Sequence, residues 1–318
     1  MGVAASASQG GEAASTSDDR GPWVLSLDIR FDRLSGVRPL AQGTGCSCHF
    51  GKMGSKEVAI KMLKLDSSKV DAEDLDNELN VLQLLHHPYI VRLAGAGQTP
   101  QGKMFIATEF LSRGTLSSAI GTDAPEGTTW IWRARVRMWF PLEEALRQAA
   151  GVASALAYMH DEAMPGAKIL HRDIKGNNLA FAADGTLKLF DLGLAKILRP
   201  RDLQGDNIYK MTGNTGSLRY MAPEVARSLP SNETADVYSF AMVMWEMASI
   251  ELPFNFLAIT GLFNEVVLGG ARPRLAPGWP EDFRQTLTKC WSADLKQRPR
   301  MAEVERGLRK LLEVPDAS

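Results

Sequence analysis

The run His171–Asn178, HRDIKGNN, is the stretch that most limits what this chain can fold into. It sets Asp173, Lys175 and Asn178 on one short loop, and Asp191 follows thirteen residues after Asn178, in LFDLGLA. The combination suits one kind of chemistry. Moving the γ-phosphoryl group of ATP needs a base for the incoming hydroxyl, a cation on the transferring phosphate and a metal ligand nearby. Asp173 can be the base, Lys175 the cation and Asn178 the metal ligand, while Asp191 can hold the principal Mg²⁺.

The rest of the chain narrows the setting. Its 318 residues, 45% of them hydrophobic, suffice for one two-lobed catalytic unit and little else. A formal net charge of −1 argues against nucleic acid, for which a basic footprint is expected. The three cysteines, Cys46, Cys48 and Cys290, make no disulfide framework, which fits a reducing, intracellular setting. Asp236, Glu246 and Glu251 interrupt the most hydrophobic region, so no apolar run approaches a membrane span. The N-terminus lacks the apolar core of a signal peptide, and the expected location is cytoplasmic.

With MAPE at Met221–Glu224, the ordered set HRDxKxxN, D-x-G and MAPE resembles the eukaryotic protein kinases. The resemblance covers about residues 25–312 and is nearest to the tyrosine-kinase-like group, the Raf-like and mixed-lineage serine/threonine kinases. Lys175 and TGSLRYMAPE match the serine/threonine pattern, and MTGNTGSLRYMAPE is especially similar to plant and protist members. The resemblance implies an α+β, bilobal fold. Residues 1–22, rich in Ala, Ser and Gly, read as a disordered tail, and 23–313 as the kinase domain. Within it, a small lobe of short strands plus one helix spans about 30–110, and a larger helical lobe about 111–313, with a tail at 314–318.

LAQGTGCSCHFGKMGSKEVAIKML (Leu40–Leu63) reads as two strands around a glycine turn, then a third strand. Glycines let backbone amides approach phosphate oxygens without a Cβ in the way. Of the family pattern G-x-G-x-x-G-x-V, Gly43 and Gly45 match, while Cys48 and Phe50 replace the third glycine and the valine. VAIK follows in register and offers Lys61 to the α- and β-phosphates. Asp66–His87 has helical periodicity through Leu75, Leu79, Leu82 and Leu85, and the family register makes Glu78 the partner of Lys61. Leu82, Leu93, His171 and Leu192 are expected to stack, with Leu192 in place of the usual phenylalanine. Thr108 takes the gatekeeper position, and the backbone of Glu109 and Leu111 is expected along the adenine edge. Phe50 and Ala59 would lie above the base and Ala180 below it. A bigger roof over a smaller floor reads as a volume-conserving swap.

At the substrate end, Glu224 is expected to pair with Arg298, and Asp236 to anchor the catalytic loop from a central helix. Ser217 stands where the family bridges Asp173 and Lys175 with a hydroxyl. Arg172 before the catalytic aspartate commonly goes with a phosphate, which makes Thr212 and Thr215 the expected sites for an upstream kinase. Tyr209 reads as an ordinary loop residue. The expected partner is a protein substrate bearing serine or threonine. The alternative is a pseudokinase scaffold, supported by Cys48, Phe50 and Leu192.

Three features stand apart. Cys46, Cys48 and His49 have no second ligand pair, so apolar roles are expected, with oxidation near the phosphates a hypothesis resting on thiol pKa. Thr128–Phe140 interleaves Trp130, Trp132 and Trp139 with Arg133, Arg135 and Arg137. It reads as a linker whose tryptophans pack on the large lobe, with an interface or membrane surface as the other reading. MGVAAS satisfies the myristoylation pattern at Gly2. One such chain gives only reversible membrane binding, on the order of 10⁴ M⁻¹.

Overall fold

The computed structural model describes residues 26–43, 45–124, 129–204, 208, 209, 211, 213 and 215–313. The 1–22 tail with Gly2, Thr212 and the 314–318 tail lie outside the described residues. Strands β1 (Ser26–Arg30), β2 (Leu34–Gln42), β3 (Cys46–Met53), β4 (Lys56–Leu63), β5 (Leu93–Gln98) and β6 (Met104–Glu109) form one sheet in the order β1-β5-β6-β4-β3-β2. β1 runs parallel to β5, and the other neighbours are antiparallel. The sheet thus begins at Ser26, ahead of the boundary near 30 expected for the small lobe.

Alternation along β4 gives the sheet two different faces. Val58 and Ile60 are fully buried and join Ile29, Leu34, Ala94, Phe105 and Ala107 in a small core. Successive side chains on a strand point to opposite faces, so Ala59 and Lys61 turn the other way. Helix α1 (Lys69–Leu82) starts where Ser68 and Asp71 form a capping box, later than the expected Asp66. It ends before the expected His87, and Leu75, Glu78, Val81 and Leu82 are its buried residues.

The second lobe holds α2 (Leu116–Ile120), α3 (Trp130–Trp139), α4 (Leu142–Asp161), α5 (Pro223–Ala226), α6 (Thr234–Ser249), α7 (Ile259–Gly261), a π-helical stretch (Leu262–Leu268), α8 (Glu281–Cys290) and α9 (Met301–Glu313). Two small ribbons, β7 (Lys168–Leu170) with β10 (Lys196–Leu198) and β8 (Leu179–Phe181) with β9 (Leu187–Leu189), carry the loops between them. Every residue of α6 from Thr234 to Ala248 is buried, which makes it the spine of this lobe. The architecture is a bilobal α+β fold.

The segment expected to be a linker is a helix, and its inward side is basic. Arg133 pairs with Glu251, Arg137 donates to the Ala248 carbonyl, and Val136 is buried beside them. Trp132 Nε1 donates to the Ile120 carbonyl at 2.8 Å, but Trp130 and Trp139 are 75% and 52% exposed. The last carbonyls of a helix lack intrahelical partners, and here the Arg137 guanidinium serves one at the end of α6 while the Trp132 indole serves one at the end of α2.

Candidate active site

The catalytic loop lies between β7 and β8 and is fixed from below by α6. Asp236 accepts the backbone N–H of His171 at 2.8 Å and of Arg172 at 3.0 Å, and also contacts His160 Nε2 at 3.0 Å. Burial opposes its charge, yet His160 and the loop outweigh this and hold its pKa below the usual carboxylate range. Those bonds hold Arg172 at φ +69°, a left-handed conformation uncommon outside glycine. Such strain persists where surrounding structure over-determines it.

Above this anchor four groups converge. Lys175 Nζ donates to Asp173 Oδ2 at 2.6 Å and to Ser217 Oγ at 3.0 Å. Ser217 N–H donates to Asp173 Oδ1 at 2.9 Å. Asn178 Nδ2 donates to the Asp173 carbonyl at 2.8 Å and to its Oδ2 at 3.0 Å. Ser217 can come this close because Gly216 precedes it at φ +101°, where a Cβ would lie 2.5 Å from the Arg172 carbonyl oxygen.

Asp191 joins the loop through its neighbour, since Phe190 N–H donates to the Asn178 carbonyl at 3.0 Å. Asp191 sits at φ +63°, and Lys61 donates to its Oδ1 at 2.7 Å and to Glu78 Oε2 at 2.6 Å. Burial works against the Lys61 ammonium, but Glu78 and Asp191 outweigh it and raise its pKa. Burial also works against the Asp191 carboxylate, and Lys61 prevails in lowering its pKa. Lys61 therefore spans α1 and the DLG segment as a cation between two acids. Leu82, Leu93 and Leu192 share the main core, with His171 fully buried.

The adenine-side residues of the first lobe lie on the neighbouring strands β3, β4 and β6. Phe50 pairs with Ala59 across β3 and β4, and Ala59 pairs with Thr108 across β4 and β6. The Phe50 ring meets Phe110 edge-on at 5.0 Å and Arg38 at 4.6 Å. The Glu109 carboxylate is taken up by Lys188 at 2.7 Å and by the Arg92 N–H at 2.8 Å, and Leu111 follows half-buried. Ala180 is buried on β8, where Thr115 bridges to it. Gly43 and Gly45 flank the β2–β3 turn, closed by a Gly43 N–H to Cys46 carbonyl bond of 2.9 Å. Gly45 also packs on α1, for a Cβ there would lie 1.8 Å from the Asp71 carboxyl carbon. Cys46 and Cys48 are free, and burial pushes both thiols above the usual range, which damps their reactivity.

The Glu224–Arg298 pair forms two bonds, of 2.7 and 2.9 Å. Two residues that the sequence did not single out also enter the site. Asn77 Nδ2 donates to the Gly193 carbonyl at 2.8 Å and to the Ala195 carbonyl at 2.9 Å, binding α1 to the start of the activation segment. Glu246 on α6 accepts from Ser117, Thr122 and Tyr220. Adjacency to Glu78 was the one available signal for Asn77; Glu246 had only its place in an apolar helix.

A β-rich lobe over a helical lobe, with a lysine–glutamate pair above and an aspartate loop below, is the architecture of the protein kinases. The family described as protein tyrosine and serine/threonine kinase matches residues 38–308, and the chain belongs to that family. It is 30% identical over 288 residues to serine/threonine-protein kinase STY17 of Arabidopsis thaliana, covering 90% of this chain and 46% of that protein. Serine/threonine-protein kinase VIK, also of Arabidopsis thaliana, is 32% identical over 262 residues, covering 80% of this chain and 55% of the relative. A probable serine/threonine-protein kinase of Dictyostelium discoideum is 30% identical over 295 residues, or 92% of this chain and 29% of its own length. These relatives support a tyrosine-kinase-like assignment, and the chain spans about half the length of the two plant proteins.

Proposed function

We propose that this chain is an active serine/threonine protein kinase that moves the γ-phosphoryl group of ATP to hydroxyls of protein substrates. The observation that carries the reading is the Asp173 carboxylate, held at once by Lys175, Asn178 and the Ser217 N–H. Asp173 orients the acceptor hydroxyl and takes its proton. Lys175 faces the transferring phosphate, and Lys61, fixed by Glu78, meets the α- and β-phosphates. The adenine lies between Phe50 and Ala59 above and Ala180 below, with Thr108 behind it and the backbone of Glu109 and Leu111 along its edge.

Mg²⁺ takes oxygen ligands, and Asp191 and the Asn178 side-chain oxygen are of that type. Asn178 spends its Nδ2 hydrogens on Asp173, which leaves Oδ1 as the acceptor, so these residues fit the ion. When bound there it neutralises phosphate charge.

Purified chain with Mg²⁺ and labelled ATP is expected to incorporate phosphate into a serine/threonine peptide library, beside an Asp173→Asn control. No incorporation with nucleotide still bound would favour the scaffold alternative. Its support, Cys48, Phe50 and Leu192, consists of uncharged positions that supply none of the groups the chemistry uses.

Phe50→Val should raise the KM for ATP, because it removes the ring that closes over Ala59 against Phe110. An unchanged or lower KM would count against that placement. Asn77→Ala should lower kcat by up to roughly thirtyfold, since two hydrogen bonds worth about 1 kcal/mol each no longer hold α1 to the activation segment. Steady-state assays at saturating ATP read this, and an unchanged kcat would remove Asn77 from the mechanism.

The switch belongs to the same reading. Arg172 and Thr215 line one small cleft, and a phosphate on Thr215 would bring about −1.5 to −2 charge to it. Mapping labelled sites after treatment with an upstream kinase tests Thr215 and Thr212 together. A cytoplasmic location is also part of the reading, and the free thiols of Cys46, Cys48 and Cys290 are compatible with it.

A further inference from the structure

Helix α3 has two sides, and only one of them is used within the chain. Trp132, Arg133 and Arg137 bond inward to the Ile120 carbonyl, Glu251 and the Ala248 carbonyl, and Val136 is buried between them. The other side faces solvent. Trp130 is 75% exposed, Ile131 54%, Met138 86% and Trp139 52%, with Ala134 and Arg135 exposed between them. Side chains four apart on a helix are neighbours, so 130, 134 and 138 form one row and 131, 135 and 139 the next.

The exposed area is that of an interface. At up to about 250 Å² for a tryptophan side chain, the two rings alone present roughly 300 Å². With Ile131 and Met138 the band reaches the range of about 300–600 Å² in which a chain's largest exposed patch is often functional. A standard interface buries about 800 Å² per partner, so the band can supply its apolar centre. The inward bonds already fix α3 in place, which leaves little of it to be ordered on association.

The order of residues along the band points to what covers it. Read from either end it runs tryptophan, aliphatic or thioether chain, Ala134 with Arg135, then the same in reverse. An isologous contact needs a surface that complements itself after a half-turn. Two α3 helices crossing antiparallel, with the axis between Ala134 and Arg135, set Trp130 opposite the second copy's Trp139 and Ile131 opposite its Met138. Each Arg135 then meets an alanine, which leaves room for its stem while the charge stays in water. At the same end as Trp139 lies a cleft of about 900 Å³, lined in part by Met138, Trp139, Phe140, Phe181, Glu143 and Arg147. The second copy's Trp130 arrives there, and a tryptophan seated in a pocket is a common anchor of interfaces.

We propose that α3 is a self-association surface, pairing antiparallel with α3 of a second copy and seating Trp130 of each chain in the cleft beside Trp139 of the other. A lipid surface is the poorer fit. Arg133 and Arg137 are engaged inward, which leaves Arg135 as the cation of the band, and Glu143 and Glu144 follow at the start of α4. Helices that lie on membranes join a strongly cationic face to their apolar one.

Sedimentation equilibrium of the full chain tests this, with wild type expected as a monomer–dimer equilibrium in the micromolar range. Ile131→Lys and Met138→Glu change exposed side chains, so the fold is kept, and each should weaken self-association about a hundredfold. Trp130→Ser should weaken it by about thirtyfold or more. Mixing the two charge variants should restore association to within about tenfold of wild type, because the introduced lysine then meets the introduced glutamate across the axis. A wild type that stays monomeric at every concentration overturns the proposal. So does a dimer that Ile131→Lys leaves intact, and a mixture that fails to associate overturns the antiparallel pairing. Binding of a monomeric wild type to phosphatidylcholine–phosphatidylserine vesicles, lost with Trp130→Ser, would assign the face to a lipid surface instead.

Discussion

Asp173→Asn is expected to lower kcat by about 10²–10⁴, the usual cost of losing a positioned base, with ATP affinity retained. The size of the loss follows from what the carboxylate does in the resting site. It accepts from Lys175, Asn178 and the Ser217 N–H together, so its two oxygens are fixed by three donors from two segments. An asparagine can keep one oxygen on the Ser217 N–H. It then turns its amide toward the Lys175 ammonium and the Asn178 amide, placing donor against donor. The base is lost and Lys175 loses its anion, 2.6 Å away in the native site. In the proposed function ATP is held elsewhere, by Lys61 and the sheet, so nucleotide binding measured by calorimetry is expected to stay near the wild-type value. A variant that keeps more than a tenth of its kcat would remove Asp173 from the proposed role. A variant that loses nucleotide binding in step would show instead that the loop has collapsed.

The difference between these residues and those that the sequence left dark is a matter of distance along the chain. Asp173, Lys175 and Asn178 bond to one another within five positions, so their spacing carries the geometry with it. Lys61 was legible because VAIK follows the glycine turn in register, and because a glutamate on the following helix was the expected partner. Asn77 finds its acceptors 116 and 118 residues away, and both are backbone carbonyls, which no residue type announces. Glu246 finds two of its donors 129 and 124 residues away, one on the short helix α2 and one just past its end, which hydroxyl residues alone do not mark out. Helix α3 misled for a different reason. Tryptophan is the natural choice for a buried face, but the surface it meets is the polar end of α6, and arginine fits that surface better. Composition reports what a segment could bury and says nothing about the polarity of the surface that receives it.

Glu224 and Arg298 carry the second large effect, on stability, and the two partners should not cost the same. The Arg298 side chain is fully buried and Glu224 nearly so. Breaking a buried pair from one side typically costs about 3–5 kcal/mol, because it strands the other charge. At about 2–4 °C per kcal/mol for a domain of this size, Glu224→Met should lower the melting temperature by roughly 10 °C. Arg298→Met should lower it further. Arg298 also donates to the Ser292 carbonyl at 2.8 Å and to the Thr234 carbonyl at 3.2 Å, and its guanidinium lies over the Tyr238 ring at 5.1 Å. With Glu224 gone, the cation keeps those partners. With Arg298 gone, the anion is left alone and two carbonyls lose a donor. The double replacement by methionine removes both charges, so it should recover part of the loss seen in Arg298→Met. Thermal unfolding of the four proteins checks the order, wild type above Glu224→Met above Arg298→Met, with the double variant above the last. Equal losses for the two single variants would mean that the carbonyl and ring contacts of Arg298 contribute nothing, and a double variant below both would mean that packing, not charge, holds α5 against the end of the large lobe.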